Sequence, residues 1–210
     1  AEPRDIRLTP EQQKMLAAES AAIEARRPRG PPTSLSVFGS GQMTGRKFVF
    51  VMDRSKSMGA QGLNVINAAA SELGAAISSL EDHHQFQIVA YHHMPLTIGP
   101  RELLNATEDH KGEVAEFITN LAAFGGTEHE GALFMALSMN PDVVVLLTDG
   151  GLPSLNESQL TRIRRAADGA QIHCIQFGSG PSQNSNTFMQ KLAVQNVGSY
   201  RYIDVSTWSE

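Results

Sequence analysis

Cysteine, aromatic residues and excess positive charge are all scarce in this chain. A single cysteine, Cys174, among 210 residues excludes an internal disulfide. It sits in the strand-like run Gln171–Phe177 and reads as a small buried hydrophobe. Aromatic residues make up 6 %, and 17 basic against 22 acidic residues leave a net charge of −5. A nucleic-acid footprint needs a basic face, so no nucleic-acid partner is expected. No apolar run approaches the roughly 18 residues that span a bilayer, which excludes direct membrane insertion of this segment as a helix. A signal-peptide core is also lacking, but the chain begins at Ala1 and not at Met, so the cellular address stays open. There is no H-E-x-x-H helix, no G-x-S-x-G elbow, no P-loop and no D-x-D start. Zinc, serine-hydrolase and phosphoryl-transfer chemistry therefore have little support.

What is present begins with an apolar run, Phe48–Met52, that leads directly into Asp53-Arg54-Ser55-Lys56-Ser57. A carboxylate and two hydroxyls at alternate positions, where a buried strand ends, form a cluster of hard oxygen donors. Such donors suit Mg²⁺, Mn²⁺ or Ca²⁺ better than metals that prefer sulfur or imidazole. The same pattern recurs where Val143–Leu147 runs into Thr148-Asp149-Gly150-Gly151. Between the two lies the loop Phe124-Gly125-Gly126-Thr127, followed by a helix-like stretch from Glu130. Ligands of α/β sheets bind beyond the carboxyl ends of parallel strands. Asp53, Ser55, Ser57, Thr127 and Asp149 can therefore converge at one end of one sheet.

The rest of the chain alternates strands and helices. Leu63, Ile66, Ala70, Leu73, Ile77 and Leu80 recur at helical spacing and predict a helix over 61–80. Residues 85–91 read as a strand, with an antiparallel return through Leu96–Ile98. Val114, Phe117, Ile118 and Leu121 mark another helix, and Leu160, Ile163 and Ala167 a third. A strand over 171–177, a helix over 186–195 and a final strand over 200–205 complete the series. The expected fold is α/β: a doubly wound, Rossmann-like, mostly parallel sheet of about six strands with one antiparallel edge strand and helices on both faces.

The D-x-S-x-S of Asp53, Ser55 and Ser57, Thr127 after Gly125-Gly126, and Asp149 in Leu147–Gly150 stand in the order of a known family. Over residues 46–204 the chain resembles the von Willebrand factor A-type domain. The resemblance implies that these five residues make a complete metal-ion-dependent adhesion site holding Mg²⁺, with Mn²⁺ or Ca²⁺ as alternatives. It implies a protein partner whose Asp or Glu carboxylate completes the coordination, and no catalysis. Lys56, Gly126, Glu128, His129 and Gly150 would then form the partner-binding rim, with His129 placed to tune binding as pH falls. Two features depart from the family: Lys56 stands where relatives often have a small residue, and the long helix that usually follows the last strand is not seen. A structural or assembly domain with the metal site unused, and a metal-dependent hydrolase, are the competing readings.

The expected division is an N-terminal helix and Pro/Gly-rich linker over 1–45 and the A-type domain over 46–210. Thr9-Pro10-Glu11-Gln12 is a capping-box start with proline at the first helical position. That helix should run to about Ala25, with Arg26 and Arg27 at its end and Pro28–Pro32 stopping it. Leu8, Met15, Leu16, Ala22 and Ile23 give it a narrow apolar stripe, which could cover the flank left open by the missing C-terminal helix. The alternative is a stalk below an upstream anchor, which would place the domain at a cell envelope. Arg54 and Lys56 are expected to point to solvent, as are the paired histidines His83-His84 and His92-His93 at the two ends of the second strand.

Overall fold

The computed structural model describes residues 9–25, 30–182 and 186–208. Helix α1 (Pro10–Ala25) comes first, then the short strands β1 (Thr33–Leu35) and β2 (Met43–Gly45). Strand β3 (Lys47–Asp53) is followed by α2 (Ile66–Ser78), β4 (Gln85–Tyr91), β5 (Pro95–Thr97) and β6 (Leu104–Asn105). Then come α3 (Glu108–Thr119), α4 (His129–Leu137), β7 (Val143–Thr148), α5 (Glu157–Ala167), β8 (Gln171–Gly178), α6 (Phe188–Gln195) and β9 (Tyr200–Asp204). The main sheet runs in the order β5-β4-β3-β7-β8-β9. β3, β4, β7, β8 and β9 are mutually parallel, and β5 returns antiparallel along β4, as the sequence predicts. The two-residue β6, also antiparallel to β4, carries too little pattern to be seen in sequence.

Parallel central strands are buried on both faces and so read as continuous apolar runs. Alternate side chains of β3 accordingly feed two cores. Phe48, Phe50 and Met52 pack with Leu73 and Ile77 of α2 and Val114 of α3. Val49 and Val51 pack with Leu133 of α4, Ile163 of α5 and Leu192 of α6. Cys174 is buried in this second core, and burial pushes its thiol well above the ordinary range. The helix expected over 61–80 starts only at Ile66. Residues 56–63 are used instead in a 3₁₀ turn and tight turns, with Gly62 N–H on the Gly59 carbonyl (2.9 Å) and Leu63 N–H on that of Ser57 (2.7 Å).

Ahead of the sheet, β1 and β2 pair antiparallel, and Leu35, Val37 and Met43 are buried in the core with α2. At the tip of this hairpin Phe38 adopts φ 49° and its N–H donates to Glu72 Oε1 (2.7 Å). The Phe38 ring packs edge-on against Phe177 and stacks on Trp208, with centroids 5.2 and 6.1 Å away. Helix α1 has the predicted capping box: Thr9 N–H on Gln12 Oε1 (2.9 Å) and Gln12 N–H on Thr9 Oγ1 (3.2 Å). Its described side chains are exposed, Met15 by 70 %. Leu8, Arg26, Arg27 and Pro28-Arg29, and the side chains of Leu16, Ala22 and Ile23, lie outside the described residues.

The histidines at the start of β4 depart from expectation. His84 is buried, and its Nε2 and that of His83 both reach the Pro31 carbonyl, at 3.1 and 3.2 Å. Glu81 N–H donates to His84 Nδ1 (3.0 Å), so the His84 proton sits on Nε2 and points at Pro31. With Arg46 Nε on the Gly30 carbonyl (2.7 Å), these residues clip the start of the hairpin segment to the body. Sequence pattern marks strand ends but not what folds back over them.

Candidate metal centre

Asp53 is the last residue of β3 and is fully buried. Its Oδ1 accepts from Ser55 N–H (2.7 Å) and its Oδ2 from the Thr148 hydroxyl (2.6 Å). Ser55 precedes the 3₁₀ turn Lys56–Met58, which brings the Ser55 and Ser57 hydroxyls to 3.1 Å of each other. Gly62 braces this turn from behind. A Cβ there would lie 2.0 Å from the Ser57 carbonyl oxygen, so only glycine leaves that backbone in place.

The other half of the site comes from the loops after β7 and before α4. Asp149 Oδ1 accepts from Gly151 N–H (3.0 Å), and Gly150, at φ 76°, donates its N–H to Thr148 Oγ1 (3.0 Å). Thr127 is delivered by the Gly125-Gly126 bend, whose Gly125 carbonyl accepts from Lys56 N–H (3.1 Å). A Cβ on Gly151 would sit 3.1 Å from Asp149 Oδ1 and 3.3 Å from Thr127 Oγ1. Those two oxygens thus converge on one small space that a side chain would fill. Thr148 ties the halves together, because its hydroxyl bonds Asp53 while its backbone leads into Asp149.

Burial is the main cause that raises the Asp53 carboxyl above the usual carboxylate range, and the charge of Asp149 adds to it. Neither nearby cation relieves this. Lys56 is exposed. Arg54, expected in solvent, folds back: its guanidinium lies 4.6 Å above the Phe124 ring and donates to the Ala122 carbonyl (3.2 Å). A planar guanidinium stacks well on an aromatic face, which accounts for the difference.

Of the rim residues, Lys56, Gly126 and Glu128 are exposed and Gly150 is half-buried. His129 is only 1 % exposed and lies beneath them. Its Nδ1 is 2.7 Å from the Tyr91 hydroxyl and its Nε2 is 3.0 Å from the Gly151 carbonyl. His92, also buried and not in solvent as expected, packs tilted against Phe124 with His93 beside it, and the His92 carbonyl accepts from Glu128 N–H (2.8 Å). Sequence reasoning missed Tyr91, Thr148, Gly62 and Gly151. Tyr91 had a faint signal, since it ends β4 as Asp53 ends β3, and the two are register partners. The glycines had none, because what each must avoid is an oxygen brought close only by the folding of the loops.

The donor set fits a small hard dication. Two carboxylates and three hydroxyls are hard ligands of the kind Mg²⁺ takes. Bonds of about 2.1 Å at right angles put neighbouring ligands about 3 Å apart, close to the Ser55–Ser57 hydroxyl separation. Among the described residues no group of three or more His, Cys, Asp or Glu forms a metal cage.

Comparison with known proteins places the fold. The family model for the von Willebrand factor type A domain matches residues 46–202. Inter-alpha-trypsin inhibitor heavy chain H4 of Bos taurus is 26 % identical over 176 residues, covering 75 % of this chain and 18 % of the relative. The chain thus spans about a fifth of the length of that curated relative. A von Willebrand factor type A protein from Catenulispora acidiphila shares the fold with a TM-score of 0.64 at 24 % identity, over 79 % of this chain and 41 % of that one. Proximal thread matrix protein 1 from the mussel byssus, solved with a zinc-occupied MIDAS motif, aligns with a TM-score of 0.55 at 18 % identity, over 77 % of this chain and 42 % of its own.

Proposed function

The chain belongs to the von Willebrand factor type A domain family, and on that premise we propose that it is a divalent-metal-dependent protein-binding module. Asp53, Ser55, Ser57, Thr127 and Asp149 would hold the ion, Mg²⁺ in the first place and Mn²⁺ or Ca²⁺ as substitutes. Domains of this family typically serve protein interaction, which sets the class of partner. The observation that carries the reading is the shared space in front of Gly151, on which Asp149 Oδ1 and Thr127 Oγ1 both converge.

When bound, the ion supplies an electrophilic position for one anionic oxygen from outside, and a partner's Asp or Glu carboxylate is the expected ligand. Two carboxylates offset the charge of a dication, while three neutral hydroxyls leave it attractive to a further anion. This chain's own residues keep the site rigid: Thr148 orients Asp53, Gly62 supports Ser57, and Tyr91 with His129 pins the Asp149 loop. A non-catalytic role suits a family whose domains generally serve interaction, and two of the buried titratable groups at the site support that reading. A general base needs a free acceptor within reach of substrate. His129 has both ring nitrogens engaged and is buried, and both Asp53 oxygens already accept hydrogen bonds.

Calorimetric titration of Mg²⁺ and Mn²⁺ into the wild-type chain and Asp149→Ala tests the reading. Saturable binding lost in the variant is expected. A wild-type chain that binds neither ion, alone or with an Asp-containing peptide present, would overturn it.

A further inference from the structure

A carboxylate on a metal is blind to sequence, because any exposed Asp or Glu offers the same oxygen. Specificity has to come from side chains beside it. One feature next to the polar cluster can supply this. A groove of about 410 Å³ lies between the turn that holds Lys56, Gly59, Ala60 and Gln61 and the loop that holds Ala123, Phe124 and Gly125. These are the loops that carry Ser55 and Ser57 on one side and lead to Thr127 on the other.

Phe124 is the chief apolar wall of the groove. It is 46 % exposed, yet its ring is in contact with both the Arg54 guanidinium and the His92 ring, each 4.6 Å from its centroid. An exposed aromatic that has already lost its freedom gives up little entropy on meeting a partner. Gly59 sets the width of the groove, since a Cβ there would come within 2.6 Å of the Ala123 Cβ. Lys56 is exposed and makes no ion pair among the described residues, which leaves a positive charge at the groove. Across the site the exposed rim charge is Glu128, so an acidic segment is drawn towards the Lys56 side.

We infer that the partner is a protein segment in which the metal-seeking Asp or Glu is flanked, within a few residues, by a large apolar side chain that enters the Lys56–Phe124 groove. The inference rests on the metal-dependent reading above. Docking there selects among acidic segments by the neighbour of the acid, and Lys56 favours further negative charge beside it.

The test uses the full chain and an array of short synthetic peptides. Each carries one central Asp in an alanine background, with Phe moved through the flanking positions, and a matched set carries Asn in place of Asp. In Mg²⁺, Phe at one or two positions should raise binding at least about tenfold over the alanine peptide, the scale of a buried anchor. The gain should vanish with Phe124→Ala, fall with Lys56→Glu and largely survive Phe124→Leu, each variant first shown by circular dichroism to be folded. Equal binding of Phe and Ala peptides to the wild-type chain would overturn the inference while leaving metal-dependent carboxylate binding intact. So would a gain that persists in Phe124→Ala. A Phe gain that persists with Asn peptides or in EDTA would show an apolar groove unconnected to the metal, and also overturns it. No Mg²⁺-dependent binding of any Asp peptide would overturn the function proposed above, and the inference with it.

Discussion

The hydroxyl of Tyr91 lies 2.7 Å from Nδ1 of His129, and between them the two side chains set the position of the Asp149 loop. Burial, with the charge of Asp53 second, pushes the Tyr91 phenol well above its usual range, so Tyr91 is the donor. His129 then carries its proton on Nε2 and donates to the Gly151 carbonyl (3.0 Å). Replacing Tyr91 with Phe would leave Nδ1 buried without a donor, a loss of about 1–3 kcal/mol. Thermal unfolding should show the loss as a midpoint several degrees lower, and Mg²⁺ affinity should fall less than in Asp149→Ala. An unchanged midpoint would show that the pair contributes nothing to the loop's position.

Asp53→Asn should separate stability from metal binding. A buried carboxylate facing a second carboxylate opposes folding when no cation is present. The Asn carbonyl can still accept from Ser55 N–H, and the Thr148 hydroxyl is free to rotate. In EDTA near neutral pH, the variant should therefore unfold at the same temperature as wild type or higher. Added Mg²⁺ should raise the wild-type midpoint by mass action and leave the variant's unmoved. Loss of stability in EDTA would mean that the charge of Asp53 is satisfied by the protein alone.

Three of the four buried histidines contribute to the acid side of the stability curve. Burial, then the charge of His83, lowers His84. Burial lowers His173, and burial followed by Arg54 and His93 lowers His92. Unfolded histidine titrates near pH 6.5. Below that pH the unfolded chain binds more protons than the native one, so stability falls as pH drops through about 6.5 towards the lowered folded values. Asp53 works the other way: its raised carboxyl favours the native state as pH falls from its folded value towards the ordinary carboxylate range. Midpoints measured from about pH 8 to about pH 5.5 should decline, and His84→Asn, which cannot charge, should decline less steeply. Parallel profiles for the two chains would rule out His84 as a source of the slope.

Two truncations distinguish the N-terminal helix from the hairpin behind it. Removing residues 1–29 takes away α1, whose described side chains are exposed, and should leave the unfolding midpoint nearly unchanged. Starting the chain at Thr44 also removes Leu35, Val37 and Met43 from the core and Phe38 from its stack on Trp208. Burial of such side chains contributes about 1.5–3 kcal/mol each, so a loss of at least about 3 kcal/mol is expected. In a domain of this size that lowers the midpoint by roughly 10 °C. If the Thr44 chain melts with wild type, the hairpin is not part of the folding unit.

Much of the architecture was legible in one dimension. The strand at 85–91 and the capping box that starts α1 at Thr9 were read to the residue, and β5 to within one. Helix α2 began five residues later than its apolar spacing suggested, because Leu63 packs on the core from a turn. Periodicity reports which side chains are buried and not which backbone carries them. The hairpin at 33–45 was read as a linker because its strands are three residues long, too short for alternation to stand out.

For the site, residue order suggested Asp53, Ser55, Ser57 and Asp149 as candidate ligands because each follows a strand whose apolar run is unmistakable, and added Thr127 from the Gly-Gly loop ahead of α4. Strand ends in a parallel sheet lie side by side, so chemistry written at those ends must meet. Everything that depends on side chains arriving from elsewhere was settled by the folded chain. That includes the closing of Tyr91 on His129, the turning of Arg54 onto Phe124 and the room that Gly62 and Gly151 must leave. Such contacts, whether between residues tens of positions apart or across one tight turn, leave no periodic trace, because their geometry exists only once the loops have packed.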